Sequence, residues 1–193
     1  MLQPMARVSV ISFSAEHRLN MTASFTVRRL TKVMDSELNA LAEVLVDCVA
    51  GGASVSFMSP FSVPDALTYW RGIARDTEVG DRVLLVAEDA QGIMGTVQLV
   101  LAQPPNQPHR ADVSKMLVHR RARKQGVGKA LMRAAEDAAR SCRKTVLVLD
   151  TADDTAARLY ERAGWIKVGV IPDYALLPGG GLCDTTYYYR KLD

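Results

Sequence analysis

The segment Lys115–Asp150 reads in order as strand, basic glycine loop, helix and strand, and that order leaves few folds open. Met116, Leu117 and Val118 form an apolar triplet suited to a buried strand. Past Gly128, the apolar Leu131, Met132 and Ala135 separate from the charged Arg133, Glu136 and Asp137 at helical spacing. Thr145–Asp150 is then nearly all apolar, the pattern of a strand buried on both faces and parallel to its neighbour. An α/β fold with a parallel strand pair is expected.

The loop carries Arg123, Lys124, Gln125, Gly126, Val127, Gly128 and Lys129. Glycines at a helix N-terminus let phosphate oxygens approach unpaired backbone N–H groups, and the helix dipole favours the negative charge. A pyrophosphate cradle is one reading; a tight turn with a solvated basic face is the other. The stretch is no P-loop, and it lacks the third glycine of a dinucleotide fingerprint.

The pattern Arg123-x-x-Gly126-x-Gly128 after an apolar strand resembles the acetyl-CoA signature of the GNAT superfamily of N-acetyltransferases. Downstream, Asp153-x-x-Ala156-x-x-Leu159-Tyr160-Glu161-Arg162-x-Gly164-Trp165 is similar to the fourth-helix signature of that family. The resemblance implies a mixed sheet of about seven strands with four helices and a splayed central parallel pair. It implies acetyl-CoA as co-substrate. Its pantetheine arm would pair with the backbone of Met116, Leu117 and Val118, and its pyrophosphate would meet the Arg123–Lys129 loop. Tyr160 would also touch the cofactor and act as the acid that protonates the departing thiolate. Asp153 stands where asparagine is common in the family, which leaves an amide contact to the cofactor without its donor.

Within the family, Gly51–Met58, Arg110–Val113 and Leu149–Thr151 resemble the bacterial tabtoxin resistance acetyltransferases, which act on a small β-lactam amino acid. That likeness implies a catalytic set of Asp112, Asp150 and Tyr160, with Asp112 standing in place of a glutamate. The residues by themselves leave alternatives. Asp150 closes an apolar strand and is either a proton acceptor or a cap for the next helix. Asp112 shares a strand face with Ser114 and Met116 by period 2, and is either an acceptor or a solvated strand-start residue. Tyr160 is either the acid or a core ring on an amphipathic helix. No arginine stands out as a partner for a substrate carboxylate; Gly52–Ser54 offers backbone donors and Tyr174 a ring and a hydroxyl.

The 193 residues suffice for one domain with a full core, expected over 23–193 and preceded by a disordered extension at 1–22. A net charge of +3 is too small to argue for nucleic acid as a partner. Three scattered cysteines and three scattered histidines suggest no metal site, and no apolar run is long enough to span a membrane. A cytoplasmic enzyme, monomeric or homodimeric, acting on a small-molecule amine is expected. The other readings are a protein or peptide N-acetyltransferase and a non-catalytic acyl-CoA sensor.

Along the chain, the expected strands are 24–30, 82–88, 93–101, 111–118, 145–150, 165–171 and 185–191. Helices are expected from Asp35 or Ser36 to Gly51, from Ser62 to Gly80, from Gly128 to about Cys142 and from about Asp154 to Ala163. A Pro/Gly-rich loop over 172–181 is expected to join the last two strands.

Overall fold

The computed structural model describes residues 25–193, so the expected extension at 1–22 lies outside the described residues. The elements run β1 (Thr26–Leu30), α1 (Asp35–Ala50), α2 (Val63–Glu78), β2 (Arg82–Asp89), β3 (Gly92–Val100), β4 (Arg110–Val118), a 3₁₀ turn (Arg120–Ala122), α3 (Val127–Ser141), β5 (Val146–Thr151), α4 (Asp154–Arg162), β6 (Ile166–Leu176) and β7 (Leu182–Lys191). The seven strands form one sheet in the order β1-β2-β3-β4-β5-β7-β6. Two apolar clusters sandwich it. Leu41, Leu45 and Trp70 of α1 and α2 pack on one face with Leu84 and Val86. Leu131, Met132 and Ala135 of α3 pack on the other with Val97, Leu99 and Leu147. Helices α1, α2 and α3 bury apolar stripes at helical spacing, but Glu136, expected on the charged side of α3, is buried as well and pairs with Arg190 Nε at 3.1 Å.

Two irregularities shape the middle of the sheet. β4 and β5 are its one parallel pair, and their register holds only from Arg110–Val146 to Asp112–Val148. Beyond it the strands part, leaving the C-terminal half of β4 without a partner on that side. The second is a bulge in β4. Thr96 pairs with Leu117 and Gln98 with Ser114, so β4 spends one residue more than β3 over this span. Lys115 absorbs it in the left-handed region at φ 48°. The extra residue reverses the alternation: Ala111 and Val113 join the α3 face, while Leu117 joins the α1 face. Met116 packs toward the α3 side, so it does not share the face of Asp112 and Ser114 as strict period 2 predicts.

Three other expectations change. Helix α1 is capped at Met34, whose N–H is taken by Glu37 at 2.8 Å, rather than at Asp35 or Ser36. β5 is buried on one face only: Leu147 and Leu149 are in the core, while Val148 is half-buried and Asp150 exposed. The last hairpin is longer than expected, with β6 reaching Leu176 and β7 starting at Leu182. Pro172 is tolerated because β6 is the edge strand and its register shifts between Ile171 and Ala175.

Candidate active site

The parting of β4 and β5 opens a cleft of about 1160 Å³. At one end stands the N-terminus of α3. Gly126 is its cap residue, at φ 84°, a conformation that disfavours any side chain. No side chain caps the helix and no acidic residue sits in its first turn, so its leading N–H groups remain open to an anion. Lys124, Gly126, Val127, Gly128 and Lys129 line the cleft here. Gly128 packs closely: a Cβ there would lie 3.1 Å from the Leu159 side chain of α4, which would have to give way by a few tenths of an ångström. The two glycines thus serve the turn and a helix contact as well as the cradle. Arg123 also lines the cleft, but its Nε donates to the Val118 carbonyl at 3.3 Å. Gln125 turns away and donates to the Arg121 carbonyl at 2.8 Å.

The loop is anchored from behind. Asp47 of α1, 8% exposed, accepts from the Arg120 N–H at 2.9 Å and from its Nε at 2.6 Å, with His119 Nε2 3.6 Å away. Burial opposes the Asp47 charge, yet the Arg120 hydrogen bonds and the neighbouring His119 and Arg120 charges outweigh it and hold the carboxyl below its usual range. His119 is a loop residue, as its place in the sequence suggests.

Midway along the cleft lies Tyr160, on α4. It is 4% exposed, its ring is 5.9 Å from that of Trp165 and 6.0 Å from that of Tyr188, and its hydroxyl has no hydrogen-bond partner among the described residues. The ring is in the core, as one of the two sequence readings has it, and the residue also lines the cleft. Burial, then the charges of Asp153 and Asp150, push the phenol well above its usual value. Asp153 caps α4, accepting from Thr155 N at 2.6 Å and Ala156 N at 2.9 Å. Asp150 is thereby freed from capping. It lines the cleft and accepts a hydrogen bond of 2.8 Å from the Thr185 hydroxyl.

Asp112 is not in the cleft lining. Its carboxylate pairs with Arg110 and accepts from Gln103 Nε2 at 3.3 Å. Tyr187 is Asp150's register partner on β7, and its phenol is 3.0 Å from that of Tyr174. That hydrogen bond, with burial and the Asp150 and Asp112 charges, pushes Tyr187 up to about 12.

The other end of the cleft is covered. Ser59 N donates to the Pro178 carbonyl at 2.8 Å, and Ser54 Oγ donates to the Leu176 carbonyl at 3.3 Å, joining the segment after α1 to the β6–β7 hairpin. Beneath this roof Lys115 points its ammonium at Ser56 Oγ, 3.2 Å away, with Phe57 and Tyr69 ring centroids at 5.8 and 5.9 Å. Sequence reasoning missed Lys115, Thr185 and Tyr187. The available signal was a single lysine inside the otherwise uncharged run Val113–Val118.

A family model for the acetyltransferase (GNAT) domain matches residues 80–167, which span the cradle and most of β6's approach. An uncharacterized N-acetyltransferase from the hisH-hisA intergenic region of Azospirillum brasilense is 30% identical over 127 residues, 65% of this chain and 74% of that protein. Among solved structures, yncA of Salmonella typhimurium, determined with its cofactor acetyl-CoA, superposes with a TM-score of 0.71 at 21% identity, over 88% of this chain and 94% of its own. A ribosomal-protein-alanine N-acetyltransferase from Brucella melitensis gives 0.71 at 20% identity, over 86% and 99%. The chain belongs to the GNAT family and is an acetyl-CoA-dependent N-acetyltransferase. No helix among the described residues is long and apolar enough to cross a membrane.

Proposed function

We propose that the chain acetylates the primary amine of a small amino-acid-like molecule. The roof over the acceptor end carries this reading. Tied to the hairpin at Ser54 and Ser59, the segment after α1 covers that end of the cleft, which suits a small acceptor better than a long peptide.

Acetyl-CoA supplies the acetyl group as a thioester. The uncapped start of α3, with Lys124 and Lys129, suits its pyrophosphate, and the unpaired backbone of Met116, Leu117 and Val118 suits its arm. The Arg123 guanidinium must release the Val118 carbonyl to reach a phosphate. Asp150 takes the proton from the acceptor's ammonium, directly or through a water, while Thr185 fixes the carboxylate. Tyr160 gives its phenolic proton to the departing thiolate, a role its raised pKa suits because the proton is retained until needed. Nitrogen sheds two protons, the first from the ammonium to Asp150 and the second from the tetrahedral adduct to the Tyr160 phenolate; the Tyr160 proton goes to the sulfur, and Asp150 releases the net proton to solvent. Asp112, held by Arg110, supports the set at a distance by helping to keep Tyr187 protonated.

The resemblance of Gly51–Met58, Arg110–Val113 and Leu149–Thr151 to tabtoxin resistance acetyltransferases extends the proposal to β-lactam amino acids, and so to resistance. A non-catalytic acyl-CoA sensor would need neither Asp150 nor Tyr160 at the cleft. The test is thiol release from acetyl-CoA with free amino acids, β-lactam amino acids, aminoglycosides, polyamines and N-terminal peptides. Turnover of small amino acids supports the proposal; turnover of peptides alone overturns it.

A further inference from the structure

Lys115 is an unusual cation. It sits at the β4 bulge in a left-handed conformation, where most lysines would be unwelcome, and the bend directs it inward under the roof. Among the described residues no carboxylate lies within ion-pair distance; the recorded neighbours are one hydroxyl and two aromatic rings. The nearest other cation compounds the imbalance. Arg82 bonds the buried Gln98 at 2.8 Å, and Gln98 in turn donates to the Tyr69 hydroxyl at 3.3 Å. Among the described residues, the carboxylate paired with Arg82 is the half-exposed Asp76, at 3.4 Å. The pocket wall is therefore positive here and negative at Asp150, on the opposite side of the parted strands. Burial lowers the Lys115 pKa, and the Asp150 charge partly restores it, so the two groups sense each other across the pocket without touching.

A half-buried ammonium without a carboxylate partner costs stability that only a ligand of opposite charge recovers. We infer that Lys115 is the recognition group for a carboxylate on the acceptor, so that the preferred acceptors are α-amino acids or amines bearing a nearby acid. This rests on the small-amine reading above. It places the two ends of a zwitterion separately: the amine toward Asp150, the carboxylate on Lys115 and Ser56, and an apolar body against Phe57 and Tyr69.

The experiment compares each common amino acid with its own carboxamide, in wild type and in Lys115→Met. Methionine keeps the stem length and has no branched Cβ to strain the left-handed position. Comparing the acid-over-amide ratio of kcat/KM between wild type and variant cancels the effect of the amide's lower amine pKa. That selectivity should fall roughly 10- to 100-fold in Lys115→Met, mostly through KM, and Lys115→Arg should restore part of it. Matching melting temperatures report that the fold is kept. Acid and amide losing equally, or an unchanged ratio, overturns the assignment while leaving the small-amine reading in place. Thiol release with none of the pairs in wild type overturns both.

Discussion

The Thr185 hydroxyl donates to Asp150 Oδ2 across 2.8 Å, and it does so from a residue that is only 2% exposed. A buried donor thus fixes the orientation of a carboxylate that itself faces the cleft.

Thr185→Val removes the hydrogen bond with little change of shape. It should lower kcat by about 10-fold with less effect on KM for acetyl-CoA, because Asp150 stays but wanders. Asp150→Asn should cost more, and its cost should be larger at neutral pH, where the acceptor amine is protonated, than at pH 9.5. A pH–rate comparison checks both; a loss constant with pH would give Asp150 a purely structural role.

Tyr160→Phe should lower kcat by roughly 10- to 10⁴-fold and leave acetyl-CoA affinity near wild type. The sign of the pH effect follows from the raised phenol pKa. A group pushed upward keeps its proton to higher pH, so wild-type kcat should not fall through pH 9–10. An alkaline decline there in wild type that disappears in Tyr160→Phe would mean that the phenol ionises early, contrary to its burial.

The two loop glycines should fail differently. Gly126→Val meets no neighbour but forces a β-branched residue to φ 84°, distorting the cradle itself. Gly128→Val drives a side chain into Leu159, 3.1 Å from the first added carbon, and so displaces α4 and Tyr160 with it. Calorimetry should show weakened acetyl-CoA binding in both. Melting temperature should drop further for Gly128→Val.

Asp47→Ala removes the acceptor for both Arg120 donors and should cost about 1–3 kcal/mol of stability at neutral pH. Its folded pKa lies below the ordinary value, so this contribution is present above about pH 4 and is lost as pH falls through the folded pKa. Denaturation curves of wild type and variant should therefore converge in strong acid and diverge above it.

Much of this was legible in the sequence because it depended on local patterns. The Leu131, Met132 and Ala135 stripe fixes α3, and its glycines announce the loop. The open face of β5 was not legible, since Val146 and Val148 look like core residues whether they meet a helix or a cleft. The outer half of β6 looks like loop in the sequence because Pro172 breaks a strand unless its missing N–H points off an edge, which depends on the strand order. Asp112 and Asp150 looked equivalent as strand carboxylates; Arg110 and Gln103 occupy one and leave the other to Thr185. Lys115 escaped notice because its direction depends on a bulge that only the pairing with β3 defines.

The extra residue in β4 also sets how this enzyme can vary. Between Asp112 and Leu117 the number of residues, and not only their identity, determines which side chains face the pocket. Deleting one residue there would remove the bulge: Leu117 would still pair with Thr96 and keep its place in the cluster it shares with Leu84 and Val86, while the bend that directs Lys115 inward would be lost. Homologous pockets are therefore free to diverge by substitution at position 115, trading one recognised chemistry for another, while loss of the bulge would take the recognising side chain out of the pocket altogether. Single-residue deletions between Ser114 and Leu117 should keep the fold and change acceptor preference, whereas unbranched substitutions at Lys115 should remain folded and spread across acceptor preferences.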